Sequence, residues 1–361
     1  MADKVRIGMI GTSWWADAMF LPSFASHPQA EVAAICGRTK ARAQEMAAKY
    51  GIARVFTDYR QLIGSGELDA VAVATPDDLH HEMTMMALDA GLHVLCDKPL
   101  ALTAAHAREM YEEAEARQLK HMTLFTWRWQ PHFQLVKNLI DDGYIGRCFH
   151  ARFAILGDFG RKKDYRWRAD GRRSNGIVSD LGAHMIDFAR WYLGDIDSVC
   201  AQLSTFVDVD SLDDVPLVPT NDAAALLLQM ANGSQVTIEV SAVTKRGEDA
   251  IDVGVRFYGE SGTLEADQIF FGAAAGGYVR GITGEEKQLR ILDIPVAMSE
   301  GLDLRNPLDP FYKQAVGPRL FVDSIIEDKQ ISPSFYDGWK VQEVIDAALV
   351  SQNERRWVSV R

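Results

Sequence analysis

The chain has 361 residues, and at about 150 residues per domain this length predicts two domains. Hydrophobic residues make up 47% and charged residues 24% of the chain, which excludes a disordered polymer. The net charge of −12 argues against nucleic acid and anionic membranes as partners, because both require a basic surface. Four scattered cysteines without a CxxC pair favour neither disulfides nor zinc, and we expect no metal. Without an apolar signal or spanning segment, the sequence predicts no membrane association and a cytoplasmic location.

Residues 1–125 alternate short apolar segments with helical patterns, which predicts βαβ units and a parallel sheet. The predicted strands are residues 5–10, 31–36, 68–74, 93–95 and 121–125, and the predicted helices are residues 14–25, 39–50, 79–90 and 103–117. Residues 68–74 are apolar almost throughout, as expected for a strand covered by helices on both faces. We therefore expect an α/β domain at residues 1–125.

The pattern changes in residues 126–361, which we expect to form the second domain. After a helix at 131–142, strands are predicted at 147–156, 198–206, 223–230, 235–242, 253–258 and 263–266. Several of these are joined by tight turns that contain glycine, as at Asn232-Gly233. Consecutive strands without helices between them indicate a large, mostly antiparallel open sheet. Further helices are predicted at 179–193, 310–328 and 336–353, so the second domain is of the α+β class.

The turn after the first strand carries a nucleotide-binding pattern. Residues 11–16 read Gly-Thr-Ser-Trp-Trp-Ala, in the position of the dinucleotide fingerprint GxGxxG/A. Gly11 allows a tight turn, and the following helix presents free N–H groups to a pyrophosphate. Ser13 replaces the usual second glycine, and a plain structural turn is the alternative interpretation. The predicted contacts of a Rossmann cofactor here are Gly11, Thr12, Ser13 and Trp14.

The end of the second strand indicates which nicotinamide cofactor is bound. An acidic residue there binds the ribose 2′-hydroxyl of NAD, whereas a small residue followed by Arg accommodates the 2′-phosphate of NADP. Here the sequence is Gly37-Arg38-Thr39-Lys40, and Arg38 offers a planar fork to a phosphate. We predict NADP, with NAD as the second choice and a solvated helix start as the alternative.

Polar residues also follow two later strands of the predicted parallel sheet. Thr75-Pro76 follows the strand at 68–74, with His80 a few residues further on. Asp97-Lys98-Pro99 follows the strand at 93–95. The carboxyl ends of parallel strands meet at the edge where ligands bind, so these segments are expected to line the cofactor site.

A third segment combines two carboxylates with an imidazole. Asp180, His184 and Asp187 are separated by four and three residues, which places them on one face of a helix. A histidine near neutrality exchanges protons readily, and the carboxylates would orient it or tune its pKa. A structural histidine is the alternative interpretation.

With these motifs the sequence resembles the Gfo/Idh/MocA family, which includes glucose–fructose oxidoreductase and inositol dehydrogenase, over essentially the whole chain. The resemblance implies that Lys98 and His184 flank the substrate carbon beside the nicotinamide and that Asp180 is a further catalytic acid. It also implies cofactor contacts from Thr75, Pro76, His80, Asp97 and Lys98, and substrate contacts from Lys98, Asp180 and His184. Asp97 replaces the glutamate that is usual in the family.

Two further segments are predicted near the substrate. Trp127 and Arg128 follow the strand at 121–125, and the resemblance implies that Arg128 contacts cofactor or substrate, although core packing explains the tryptophan equally well. Residues 160–173 hold seven basic and two acidic residues. Either this is a solvated loop, or Tyr165, Trp167 and Arg168 cover the cleft while positive charge attracts the substrate.

Together these patterns predict an NADP-dependent oxidoreductase that acts on a secondary hydroxyl or carbonyl of a sugar, cyclitol or related small molecule. One alternative is an NAD-linked polyol or trans-diol dehydrogenase. Another is a regulatory protein that binds the nucleotide without turnover. As is common in the family, we expect a homodimer or homotetramer formed through the C-terminal sheet.

Overall fold

The computed structural model describes residues 4–161, 166–207, 211–212, 215–247 and 250–360. The chain forms two compact units. The first consists of residues 1–126 and 308–340, and the second of residues 127–307 and 341–361.

The first unit contains a six-stranded sheet in which every strand pair is parallel, in the order β3-β2-β1-β4-β5-β6. The strands are β1 Val5–Ile10, β2 Ala30–Cys36, β3 Arg54–Phe56, β4 Ala70–Val73, β5 His93–Asp97 and β6 His121–Leu124. All four residues of β4 are buried, as the apolar run predicted. The predicted parallel sheet is confirmed, although the short strand β3 gave too weak a pattern to be recognised.

Helices follow the strands of this sheet. They are α1 Leu21–Ala25, α2 Lys40–Tyr50, α3 Tyr59–Ile63, α4 His80–Asp89 and α5 Ala104–Ala116, and a π-helical segment, Ala16–Phe20, precedes α1. Helix α2 ends at Gly51, whose φ of 70° lies in the left-handed region that favours glycine. Asp58 and Thr103 cap α3 and α5 by accepting backbone N–H groups.

Residues 308–340 belong to the first unit, whereas the sequence analysis placed everything after residue 125 in the second domain. These residues include α10 Asp309–Lys313 and α11 Pro318–Ile326. Helix α11 contacts β1, β5 and β6, and Asp323 on this helix bonds the His27 ring at 3.0 Å. The prediction of one helix over residues 310–328 was wrong, because Gly317, with φ 56°, and Pro318 interrupt it.

The second unit contains a nine-stranded sheet in the order β16-β15-β14-β13-β7-β12-β11-β8-β17. Only the pairing of β7 with β12 is parallel, so the prediction of a large, mostly antiparallel sheet is confirmed. Its strands are β7 Cys148–Leu156, β8 Ile196–Ser204, β11 Ala223–Met230, β12 Gln235–Ser241, β13 Ile251–Gly259, β14 Gly262–Phe270, β15 Gly276–Thr283, β16 Arg290–Ile291 and β17 Val358–Ser359. A separate ribbon pairs β9 Ser211–Leu212 with β10 Val215–Pro216.

The helices of the second unit are α6 Pro131–Asp141, α7 Ile177–Asp180, α8 Gly182–Leu193 and α9 Val296–Ser299. The last helix, α12 Phe335–Glu354, contributes its residues up to Lys340 to the first unit and the rest to the second. Helix α8 contacts β7 and β12, and α6 contacts β14 and β15. Buried and exposed residues alternate along β11 and β12, as expected when one face of a sheet packs on helices. Among the described residues, no helix is long and apolar enough to cross a membrane.

Candidate active site

In the first unit, the order of strands reverses between β1 and β4, and ligands of parallel α/β sheets bind at such a switch point. Gly11 follows β1 here with φ 126°. A Cβ atom at this position would lie 2.2 Å from the Ala74 carbonyl oxygen, so only glycine fits. The Gly11 N–H also donates to Cys36 O at the end of β2, at 2.9 Å. The turn therefore lies at the carboxyl ends of three neighbouring strands.

Ser13, which stands where the fingerprint usually has its second glycine, has a clear structural role. The Ser13 hydroxyl accepts the Ala16 N–H at 3.2 Å and so caps the start of the following helix. Trp14 is 63% exposed, and its ring centroid lies 5.7 Å from that of Trp15. A tight turn, a capped helix start and an exposed aromatic ring fit a dinucleotide cofactor.

Gly37 begins the corner that follows β2 (residues 37–40), and it packs closely against this turn. A Cβ atom at Gly37 would lie 2.4 Å from the Thr12 side chain, which explains the glycine. Arg38, Thr39 and Lys40 are all exposed and are therefore accessible to a phosphate.

A carboxylate near this corner was missed by the sequence analysis. Gly37 donates its N–H to Phe56 O at 3.1 Å, so the loop after β3 lies beside the corner and brings Asp58 close. Burial, followed by the charge of Asp58, raises the pKa of the Cys36 thiol to about 11. Asp58 itself accepts the Arg60 N–H at 2.9 Å. The fingerprint predicts an acid only at the end of the second strand, whereas Asp58 lies in the loop after β3.

The loop after β5 carries Lys98. The Lys98 N–H donates to the Asp97 carboxylate at 2.8 Å, so Asp97, predicted as a cofactor contact, holds the backbone of the lysine. The Lys98–Pro99 peptide bond is cis. Thr75 and Pro76 are partly exposed at the end of β4.

His80 was predicted as a cofactor contact, but the structure buries it completely. Its two ring nitrogens lie 2.8 Å from Pro99 O and 2.9 Å from Thr75 O. Both ring nitrogens are therefore engaged by backbone carbonyl groups. His80 lies beneath the loops that follow β4 and β5 and offers no polar atom to a ligand.

The second unit contains the predicted imidazole. His184 is buried, and the Trp127 ring packs against it with centroids 5.2 Å apart. Trp127 also packs on Phe270 of β14, at 4.7 Å. The expected single helix is divided at Leu181 into α7 and α8. Asp180 therefore ends one helix while His184 lies in the first turn of the next.

Arg128 was predicted to contact cofactor or substrate, and the structure corrects this expectation. Its guanidinium is buried and binds Asp187 at two points, with distances of 2.7 and 2.5 Å. This fork-to-fork pairing joins the segment carrying Trp127 to the helix carrying His184. Arg128 therefore positions other side chains.

Asp180 pairs with an arginine of the basic segment. Arg168 Nε lies 3.1 Å from Asp180 Oδ2, and the Arg168 guanidinium stacks 4.3 Å from the centroid of the Trp167 ring. Arg172 likewise binds Asp170, at 2.8 Å, so part of the positive charge is neutralised locally. Tyr165 lies outside the described residues. No group of three or more His, Cys, Asp or Glu side chains within the described part of the chain could hold a metal ion.

Comparison with known proteins agrees with this arrangement. A family model described as "Oxidoreductase family, NAD-binding Rossmann fold" matches residues 5–125, and a model of the GFO/IDH/MocA C-terminal domain matches residues 133–265. This chain belongs to the GFO/IDH/MocA family. It is a nicotinamide-dependent oxidoreductase acting on CH–OH groups, and the predicted family and enzyme class are confirmed.

Named relatives of this oxidoreductase act on sugars and cyclitols. The chain is 28% identical to levoglucosan dehydrogenase of Pseudarthrobacter phenanthrenivorans, over 88% of this chain and 86% of that protein. It is 26% identical to inositol 2-dehydrogenase of Rhizobium meliloti, over 99% of both. A solved structure of levoglucosan dehydrogenase in complex with NADH and L-sorbose matches with a TM-score of 0.86, 25% identity and 99% coverage of both chains.

Proposed function

We propose that this oxidoreductase transfers a hydride between NADP and a secondary hydroxyl or carbonyl group of a sugar or cyclitol. Two contacts in the second unit carry the proposal: the Trp127 ring packs on His184, and Asp180, four residues before His184, pairs with Arg168. An aromatic face suits the apolar face of a sugar ring, while carboxylate and guanidinium groups bind hydroxyls. The named sugar and cyclitol dehydrogenases among the relatives support the same class of substrate.

Each charged residue has a distinct role in this proposal. His184 accepts the hydroxyl proton during oxidation and returns a proton to the oxygen during reduction. Lys98 supplies a positive charge of the kind that stabilises a developing oxyanion. Asp180 binds a neighbouring hydroxyl, with Arg168 holding its carboxylate in place. When bound, the nicotinamide supplies the hydride chemistry.

The preference for NADP is the finer part of the proposal. No carboxylate stands among residues 37–40, and Arg38 is exposed beside the fingerprint turn. A planar guanidinium favours a 2′-phosphate over a 2′-hydroxyl. The levoglucosan dehydrogenase structure described above contains NADH, so both cofactors must be measured on this enzyme.

We also propose that the open face of the nine-stranded sheet pairs with a second copy of the chain. Leu227 on β11 is exposed on this sheet. Charges of both signs lie on it as well, including the pairs Arg152–Glu239 at 3.2 Å and Arg256–Asp267 at 2.7 Å. A two-fold axis brings the same patch of both copies together, and a patch with both signs of charge can pair with its own copy, whereas a patch of one sign would repel it. Light scattering after gel filtration should show a dimer or tetramer, and Leu227→Lys should shift it toward the monomer.

The catalytic proposal is tested with purified enzyme and a panel of sugars, cyclitols and acyclic polyols. Nicotinamide absorbance is followed with NAD and NADP at equal concentrations. We expect turnover of cyclic substrates, with a higher kcat/KM for NADP. Turnover of acyclic polyols alone would favour a polyol dehydrogenase, and turnover that is faster with NAD would overturn the cofactor preference.

A further inference from the structure

The ring of His80 is in an unusual setting on the first unit's sheet edge. It is completely buried, and both of its nitrogens face backbone carbonyl oxygens. Nδ1 lies 2.8 Å from Pro99 O, and Nε2 lies 2.9 Å from Thr75 O. A carbonyl oxygen can only accept a hydrogen bond, and neutral imidazole has only one N–H. In the neutral form, one lone pair would therefore face an oxygen at hydrogen-bond distance, without a proton between them.

Other histidines of this protein show the usual alternative. In His27, His93 and His121, Nδ1 accepts a backbone N–H, from Gln29, Lys120 and Phe335 respectively. Each of these rings is satisfied as the neutral tautomer that carries its proton on Nε2. In His80 both ring nitrogens instead face backbone carbonyl oxygens, with the Cys96 side chain as a further hydrogen-bond partner, which sets this ring apart from the other three.

We propose that His80 is an imidazolium at neutral pH that positions Lys98 by joining the loop after β4, at Thr75, to the carbonyl of Pro99, the residue after the lysine. One N–H donates to Thr75 O and the other to Pro99 O, while Asp97 fixes the Lys98 N–H from the other side. The lysine backbone is thus held at both of its flanks. His80 acts through Lys98 and touches no reacting atom.

The charges around the ring support this state. Burial alone would lower the pKa of His80, but Cys96 and Asp97 on β5, together with the Pro99 carbonyl, raise it to about 9. The polar groups next to it on α4 are engaged elsewhere, since His81 binds Glu109 at 2.8 Å and Glu82 binds Arg60 at 2.5 Å. The groups that favour the charged ring therefore come from β5 and the loop that carries Lys98.

Two amide variants separate the two hydrogen bonds. In His80→Asn the amide nitrogen takes the place of Nδ1 and keeps the bond to Pro99 O, whereas in His80→Gln it takes the place of Nε2 and keeps the bond to Thr75 O. If the bond to Pro99 positions Lys98, kcat falls about tenfold further in His80→Gln than in His80→Asn. The dissociation constant of the cofactor, read from tryptophan quenching, should change less than twofold in both. His81→Gln on the same helix is the matched control and should keep wild-type kcat.

The protonation state is measured independently by NMR of enzyme labelled with ¹⁵N-histidine. We expect both ring nitrogens of His80 to carry protons from pH 6 to pH 8, and the signals are assigned by their loss in His80→Asn. If that variant does not fold, Cys96→Ala assigns them by shifting the signals of the neighbouring ring. An unprotonated ring nitrogen at pH 7 would overturn the proposal, as would equal kcat losses in the Asn and Gln variants.

This inference rests on the proposed catalytic role of Lys98, but the two can fail separately. If Lys98→Met keeps full turnover, the proposed function fails, while the NMR result still decides whether His80 is charged. If Lys98→Met abolishes turnover and the two His80 variants behave alike, the positioning role of His80 fails and the proposed function stands.

Discussion

Arg128 and Asp187 form a two-point ion pair in the interior of the second unit, with Nε 2.7 Å from Oδ2 and Nη2 2.5 Å from Oδ1. Their side chains are 5% and 1% exposed. Trp127 precedes the arginine in the chain, and His184 lies one helical turn before the aspartate. The pair therefore fixes the position of the tryptophan ring on the histidine.

Removal of either partner should destabilise the protein, because the remaining charge would be buried without compensation. For Arg128→Met or Asp187→Asn we expect the free energy of unfolding in urea to fall by about 3–5 kcal/mol. Glu354→Gln in the same unit is the control, since Glu354 and its partner Arg356 are both at least half exposed and lie 2.5 Å apart. That change should cost less than about 1 kcal/mol. If both sites lost the same unfolding free energy, the buried pair would contribute no more to stability than an exposed ion pair.

The catalytic residues should affect turnover more than binding. Lys98→Ala and His184→Ala should each lower kcat by about two orders of magnitude or more, because each removes stabilisation worth about 2.7–4 kcal/mol in the transition state. Cofactor binding, measured by tryptophan quenching, should remain detectable in both variants. His150→Ala is a suitable control, since His150 is exposed on β7 of the large sheet. A variant that keeps near-wild-type kcat would remove that residue from the mechanism.

The fold and the site differ in how far the sequence could predict them. The apolar runs of β1 and β4 and the spacing of His184 and Asp187 on one helix were recognisable, because burial and helical spacing leave local patterns. Hydrogen bonds and ion pairs between distant residues leave no local pattern in the sequence. Arg128 and His80 lie beside motifs that the sequence reveals, but their partners, Asp187 and the carbonyl of Pro99, are distant in the chain, so the contacts of these two side chains were not predicted. Asp58 was missed for the same reason, since β3 brings it to the corner of β2 from a separate loop.

The cofactor preference is most directly tested at Arg38. Arg38→Ala should weaken NADP binding by about tenfold to a hundredfold, the expected loss of a hydrogen bond between charged groups. NAD binding should change little, because its 2′-hydroxyl carries no charge. Isothermal titration of both cofactors against wild type and variant gives the four dissociation constants required. Arg42→Ala is the control, since Arg42 lies in the first turn of α2, just after Arg38, but binds Asp17 at 3.1 Å. Parallel losses for NAD and NADP would show that Arg38 does not distinguish them.

Two histidines of the first unit should contribute to stability with opposite pH dependence. Burial lowers the pKa of His121, although its hydrogen bond to Glu115 opposes this. Its contribution is therefore complete above the unfolded-state pKa of about 6.5 and is lost as the pH falls. His121→Gln should thus cost most stability near pH 8 and progressively less toward pH 5, measured by urea unfolding across this range.

His80 should show the reverse slope, because its folded-state pKa of about 9 lies above the unfolded-state value. Its charge-dependent contribution is fully present below about pH 6.5 and is lost as the pH rises through 9, a change on the order of 3 kcal/mol. The difference in unfolding free energy between wild type and His80→Asn should therefore shrink between pH 6.5 and 9.5. Groups that do not interact with the ring titrate alike in both proteins and cancel in this difference, so the slope reports on His80 together with its neighbours Cys96 and Asp97. A difference that grows with pH would mean that the buried ring is neutral in the folded enzyme.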